Sequence, residues 1–137
     1  LNIVQTGPTE MSVYVNQDYA QPTAHLRRYS MRLDGFASLS AGYSGGEMTT
    51  KPFIFEGGTL ELNYSTSAAG EIRIELLDKE GNKLPGYSME ECQPIIGNEI
   101  SRTVYWNKSK DLTELAGKPV KMRIHMKDAD VYSFKFN

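Results

Sequence analysis

The sequence predicts an all-β chain, an antiparallel β-sandwich of the jelly-roll or concanavalin-like type. Three observations carry that expectation. Apolar and polar residues alternate one by one along most of the 137 residues. The alternating runs are short and bounded by Gly, Pro, Asn, Asp or Ser, and helical spacing surfaces in one place alone. A chain of this length suits a single hydrophobic core.

In chain order, Met11 to Val15, Leu26 to Leu33, Phe36 to Ala41 and Pro52 to Phe55 are irregular candidate strands, with Gly45-Gly46 and Gly57-Gly58 as breaks. In Thr59 to Ser65, Leu60, Leu62 and Tyr64 share one face against Glu61 and Asn63. After a break at Ala68-Ala69-Gly70, Ile72, Ile74 and Leu76 repeat the pattern against Arg73 and Glu75. Asp78 to Asn82 reads as a hairpin loop in which Gly81 supplies a positive φ. Ile100 to Trp106 is a further strand. A short helical turn is expected at 111–117, where Asp111 caps, Glu114 sits at the capping-box position, Leu112 and Leu115 share a side, and Gly117 with Pro119 stop the turn. Val120, Met122, Ile124 and Met126 alternate with basic residues, and after Asp128-Ala-Asp130 come Tyr132, Phe134 and Phe136. These last two runs are expected to pair as a hairpin.

Composition excludes several classes. Fifteen basic and 17 acidic side chains give a net charge of -2, without the basic excess of a nucleic-acid surface. No apolar run approaches the roughly 20 residues that cross a bilayer, so no membrane partner is expected. Cys92 is the single cysteine, which excludes an intrachain disulfide and a cysteine-based metal site. The chain begins at Leu1 without an initiator methionine or signal-peptide pattern, and this predicts a processed or excised piece with any export signal upstream. A boundary near Gln21-Pro22 gives a connecting segment, or the tail of a preceding domain, over 1–22 and a β-sandwich domain over 23–137.

The stretch Leu26-Arg-Arg-Tyr-Ser-Met-Arg-Leu-Asp-Gly-Phe36 through Gly45-Gly46-Glu-Met-Thr-Thr-Lys-Pro52 carries a pattern, as do Leu60-Glu-Leu-Asn-Tyr64, Leu84-Pro-Gly-Tyr-Ser88, Val104-Tyr-Trp106, Asp111 to Pro119 and Lys127 to Phe134. Together these resemble the C-terminal β-sandwich domain that follows a propeller in bacterial glycoside-hydrolase-like proteins of the family-32 and family-43 type. The resemblance implies an exported protein, extracellular or periplasmic, whose catalytic carboxylates belong to the propeller. This chain would be a non-catalytic accessory domain packed against that preceding domain of the same parent chain, and Tyr19 to Thr23 would lead into the sandwich. Asn98 stands where the family pattern has an aspartate, which argues against a cation at that position. Two rivals remain: an autonomous carbohydrate-binding module and a stand-alone glycoside hydrolase.

Candidate site residues follow from chemistry. No catalytic residue is expected: His25 and His125 are far apart, Cys92 has no local nucleophile signature, and the Glu90-Glu91 pair is near in sequence alone. Sugars stack on exposed aromatic rings, so Tyr43, Tyr87, Tyr105 and Trp106 are the carbohydrate-binding candidates, with Trp106 on what should be the core face. Leu26, Arg27, Arg28 and Tyr29 are the interdomain contact candidates, and an exposed apolar or Arg-bearing patch is expected there. No cofactor is expected beyond a structural calcium ion. Among Asp34, Asp78, Glu80, Asp128 and Asp130, the pair Asp128 and Asp130 is the candidate metal site, although their position between two strands favours aspartates that shape a turn.

Overall fold

The structure is a computed structural model that describes residues 3–107, 109 and 111–137. Its regular structure is β throughout, arranged in two antiparallel sheets, and no helix forms among the described residues. The chain divides into two compact units, Leu1–Ala37 and Ser38–Asn137.

The first unit holds β1 (Ile3–Gln5), β2 (Glu10–Gln17) and β3 (His25–Arg32) in the order β1-β2-β3. Pairing of Ile3 with Val13 and of Val13 with Tyr29 sets the register. That register puts Ile3, Met11, Val13, Val15, Tyr29 and Met31 on one face, and Ser12, Tyr14, Leu26 and Arg28 on the other. The two compact units divide after Ala37. The cause is β3, which pairs with β2 along its whole length and so belongs with the N-terminal strands. Pro22 lies in the turn between them, where Asp18 and Ala20 take left-handed backbone at φ 56° and 62°.

The second unit holds β4 (Leu39–Ala41), β5 (Gly46–Thr49), β6 (Leu60–Asp78), β7 (Asn98–Thr103) and β8 (Val120–Phe136), ordered β4-β8-β6-β7, with β5 also on β8. Two expected breaks are absent. The runs Thr59 to Ser65 and Glu71 to Leu77 are one 19-residue strand, and the expected C-terminal hairpin is one 17-residue strand. The turn-forming residues make bulges instead of turns. The register slips between Thr66 and Glu71 of β6 opposite Lys127 and Ala129 of β8, where Asp128 takes φ 44°. Gly70 is buried at that point, and a Cβ there would lie 2.4 Å from the Asp128 carbonyl oxygen. Glycine allows two backbones to meet closely, so both strands bend together without ending. A second slip, at Asn63/Tyr64, again changes the phase of the pairing.

The segment expected as a helical turn forms overlapping turns and no helix. Asp111 Oδ1 does accept the Thr113 N–H at 2.9 Å, as a cap would. Gly117, at φ 77°, then donates its N–H to the Phe55 carbonyl at 2.9 Å, which ends the coil before a second turn closes. Leu112 is nonetheless fully buried. The Pro52 to Phe55 run contributes a single bridge, Phe53 with Val120, while the break expected at Gly45-Gly46 falls between β4 and β5, with Gly45 at φ 81°.

The core of this unit lies on the face of β6 and β8 that carries Leu60, Leu62, Tyr64, Ile72, Ile74, Leu76, Met122, Ile124 and Met126. Phe55, Val104, Trp106 and Leu112 pack into the same cluster from the connecting segments. Phe55 stacks on Phe136 with ring centroids 4.1 Å apart.

Candidate functional site

β8 pairs with one side of β6 along nearly its whole length, whereas the other side is covered in pieces. The Asp78 to Asn82 loop is the expected hairpin: Gly81 has φ 102°, and Asp78 Oδ1 accepts the Gly81 and Asn82 N–H groups at 2.7 and 2.8 Å. Leu84 N–H then donates to the Leu76 carbonyl (3.1 Å), and Leu76 N–H to the Tyr87 carbonyl (3.0 Å). Pairing resumes at Ile95, which exchanges two 3.0 Å bonds with Ile72 and leads into β7.

At Ile74, between those stretches, side chains take the place of a strand. The Ile74 N–H donates to Cys92 Sγ at 3.2 Å, and its carbonyl accepts from Trp106 Nε1 at 2.8 Å, both in buried surroundings. Buried backbone groups need partners, and here an indole and a thiol supply them. Burial pushes the Cys92 thiol up to about 11, against smaller opposing effects of the Ile74 N–H and the Arg73 charge. The thiol therefore stays protonated near neutral pH and is no nucleophile.

Residues 88–94 loop outward beside this gap and form an open cleft of about 360 Å³, lined by Arg73, Glu90, Glu91, Cys92, Gln93, Pro94 and Asn107. The cleft is braced from within. Ser88-Met-Glu-Glu91 forms a reciprocal capping box: Ser88 N–H donates to Glu91 Oε2 (3.1 Å) and Glu91 N–H to Ser88 Oγ (3.3 Å). Asn107 Nδ2 donates to Glu91 Oε1 at 2.9 Å, and Asn107 N–H to the Glu91 carbonyl at 2.9 Å. Arg73 Nη1 reaches the Cys92 carbonyl at 3.4 Å, and its Nε lies 3.5 Å from Glu71. Gln93 is held through its N–H, which donates to the Tyr105 carbonyl at 2.9 Å, while its side chain is exposed.

The face of the sheet opposite the core carries a charge ladder. Glu47 and Arg73 flank His125 in register, and Thr49 and Glu75 flank Arg123. Glu75 is 1% exposed, with Arg123 Nη1 at 2.7 Å and Lys83 Nζ at 3.7 Å.

The predicted sugar platforms separate. Trp106 is 1% exposed and packs edge-on against Tyr87, with ring centroids 5.6 Å apart. Tyr87 is packed against the core, and its hydroxyl donates to the Asp111 carbonyl at 2.9 Å. Tyr105 is half-buried. Tyr43 alone of the four is exposed, at 67%, with Lys127 Nζ 4.3 Å from its ring centre. Asp128 sits in the β8 bulge, not in a turn between strands, and Asp130 accepts the Ser38 hydroxyl at 2.7 Å. Among the described residues no group of three or more His, Cys, Asp and Glu side chains is placed to hold a metal ion.

The interdomain candidates lie on β3 and divide between its faces. Leu26, 69% exposed, shares a face with Arg28, which pairs with Glu10 and donates through Nε to Ser12 Oγ at 2.9 Å. Tyr29, 46% exposed, lies on the other face beneath the Arg27 guanidinium, and Arg27 donates to Gln17 at 2.9 Å. The sequence reading missed Arg73, Gln93 and Asn107 as a group, because three separated segments bring them together. The Ser88 to Glu91 capping-box spacing was the one local signal available.

No protein-family model, no curated protein and no solved structure matches the chain.

Proposed function

We propose that the chain is a non-catalytic accessory β-domain of an exported bacterial glycoside-hydrolase-like protein, and that it docks through its N-terminal strands on a preceding propeller-type domain of the same parent chain. The observation that carries this reading is the state of β1–β3. Their alternation makes one face apolar, yet Ile3 and Tyr29 on that face are exposed, and in the whole unit Met11 is the only described hydrophobic residue that is buried. A unit of that size lacks the burial that stabilises a sheet by itself, so its apolar face calls for a partner surface. The exposed Tyr29 ring and the Arg27 guanidinium over it lie on that face and fit such a contact, whereas Leu26 and Arg28 lie on the other face.

For the second unit we infer a jelly-roll-type sandwich. This is supported by the way Phe55, Trp106 and Leu112 gather in extended or turning segments over the apolar face of the five-stranded sheet. Support for a non-catalytic role comes from the carboxylates themselves: Glu91 is tied to Ser88 and Asn107, and Glu90 lies 3.4 Å from Lys83. A carbohydrate-binding module is the second reading, favoured by the exposed Tyr43 ring.

Hydrogen exchange on the isolated chain and on the parent protein tests the first reading. Amides of β1–β3 should exchange far faster than those of β6 and β8 in the isolated chain, and become protected by about a hundredfold or more in the parent. Equal protection of β1–β3 and β6 in the isolated chain, unchanged in the parent, would refute docking.

A further inference from the structure

We propose that the cleft beside the Ile74 gap is a binding site for one ring of a neutral saccharide. Its volume of about 360 Å³ lies at the small end of ligand pockets, the size of a sugar ring and little more. The polar groups around it are of one kind, planar and two-pronged: the Arg73 guanidinium, the Glu91 carboxylate and the Asn107 and Gln93 amides. Such groups match the vicinal hydroxyls of a pyranose or furanose, each of which both donates and accepts. Pro94 adds an apolar ring edge against which a C–H face of the sugar can lie.

Three further features bear on the site. First, it is preorganised. Glu91 is fixed by the Ser88 N–H and Asn107 Nδ2, which orients Asn107 and leaves carboxylate lone pairs over for a ligand. Arg73 is anchored by the Cys92 carbonyl and keeps further N–H groups for an incoming hydroxyl. A site whose polar groups are already held loses little freedom on binding. Second, the charge is wrong for an anion. Two lining carboxylates stand against one guanidinium that Glu71 already accompanies, and Lys83 beside Glu90 is shared with Glu75, so the surroundings stay acidic. Phosphorylated or uronate ligands are therefore disfavoured relative to uncharged ones. Third, Tyr43 is not among the residues that line the cleft, so the site does not depend on the aromatic platform. It is likewise independent of docking through β1–β3.

The test is an amide chemical-shift titration of the chain with single hexoses and pentoses and with their short oligomers, each to about 50 mM, since so small a ligand binds at about 1 mM. The site predicts saturable shifts centred on Arg73, Glu91 to Gln93 and Asn107 with at least one of these sugars. Arg73→Ala should weaken that binding about tenfold or more, as expected for loss of a charge-assisted hydrogen bond. Gln93→Ala, at an exposed side chain, should weaken it several-fold with a native spectrum, and Tyr43→Ala should leave it unchanged. Absence of saturable shifts with every sugar would refute the site, as would shifts centred on Gly42 to Gly46 that persist in Arg73→Ala and vanish in Tyr43→Ala. Neither outcome touches the docking reading, which is decided by the exchange of β1–β3.

Discussion

Replacing Trp106 by Phe isolates the side-chain bond that stands in for a strand. The substitution keeps an aromatic ring in the core but removes Nε1, which lies 2.8 Å from the Ile74 carbonyl. That carbonyl is buried, so its lost partner costs about 1–3 kcal/mol. The smaller ring leaves a void against Tyr87 and the core, which adds about 1 kcal/mol. The expected loss is thus about 2–4 kcal/mol, a large part of the about 5–15 kcal/mol that holds a domain of this kind folded. Because Trp106 is the single tryptophan, urea unfolding must be followed by far-UV circular dichroism. With a slope of about 1–1.5 kcal/mol per molar urea, the midpoint should fall by about 1.3–4 M at unchanged slope. A change under about 0.5 kcal/mol would mean that water or a rearranged loop replaces the indole. The Ile74 gap would then not be the closed hydrogen-bond arrangement inferred here.

Further substitutions, an alkylation assay and a pH series probe the remaining features. Arg123→Ala strips Glu75 of its 2.7 Å partner and should cost about 2–3 kcal/mol by thermal unfolding. This is less than for a fully buried pair, because Arg123 is 34% exposed, and replacing both residues by Leu should recover most of the loss. Gly70→Ala forces a Cβ within 2.4 Å of a backbone oxygen and should cost about 3 kcal/mol or more in urea unfolding, whereas Gly42→Ala, which meets nothing within 4 Å, should stay within about 0.5 kcal/mol. Cys92, with its thiol held up at about 11, should resist alkylation in the native chain at pH 8 and react once unfolded. The raised thiol favours the folded state fully below about 9, its ordinary value, and this contribution disappears as pH rises toward about 11. Urea midpoints measured across that window should fall less steeply for Cys92→Ala.

The alternation of β6 and β8 was legible because half-buried strands repeat every second residue, and the inward side chains, Leu60 through Leu76 and Val120 through Met126, are those the pattern names. The strand ends were not legible. Gly70 and Asp128 carry the same chemistry in a turn and in a bulge, since both need small or left-handed backbone. Only the long-range pairing of the two positions decides between these outcomes, and no local pattern records it. The same limit applies at Pro22, which reads as a break, whereas the β2–β3 register that makes it part of a hairpin connection lies in hydrogen bonds across the pair. Trp106 could be placed on the core face from its spacing with Ile100 and Val104. Its bond to Ile74, and hence the cleft, depends on a contact across 32 residues.

The gap at Ile74 explains why a cleft can exist at the edge of so regular a sheet. An extended strand beside Ile74 would satisfy its backbone with ordinary ladder bonds, but it would also fill the space where residues 88–94 now loop out. Using Cys92 Sγ and Trp106 Nε1 frees that segment from the ladder while both backbone groups stay paired. The freed segment is then made rigid by its own bonds, from Ser88 to Glu91 and from Asn107 to Glu91, none of which involves the core. Stability and site are in this way carried by different atoms of neighbouring residues. The Cys92 side chain faces β6 while its carbonyl holds Arg73. Trp106 is buried against Ile74, while the next residue, Asn107, lines the cleft. Substitutions of the exposed Gln93 can therefore vary what the cleft accepts without disturbing the sheet, whereas a change at Trp106 or Cys92 alters both.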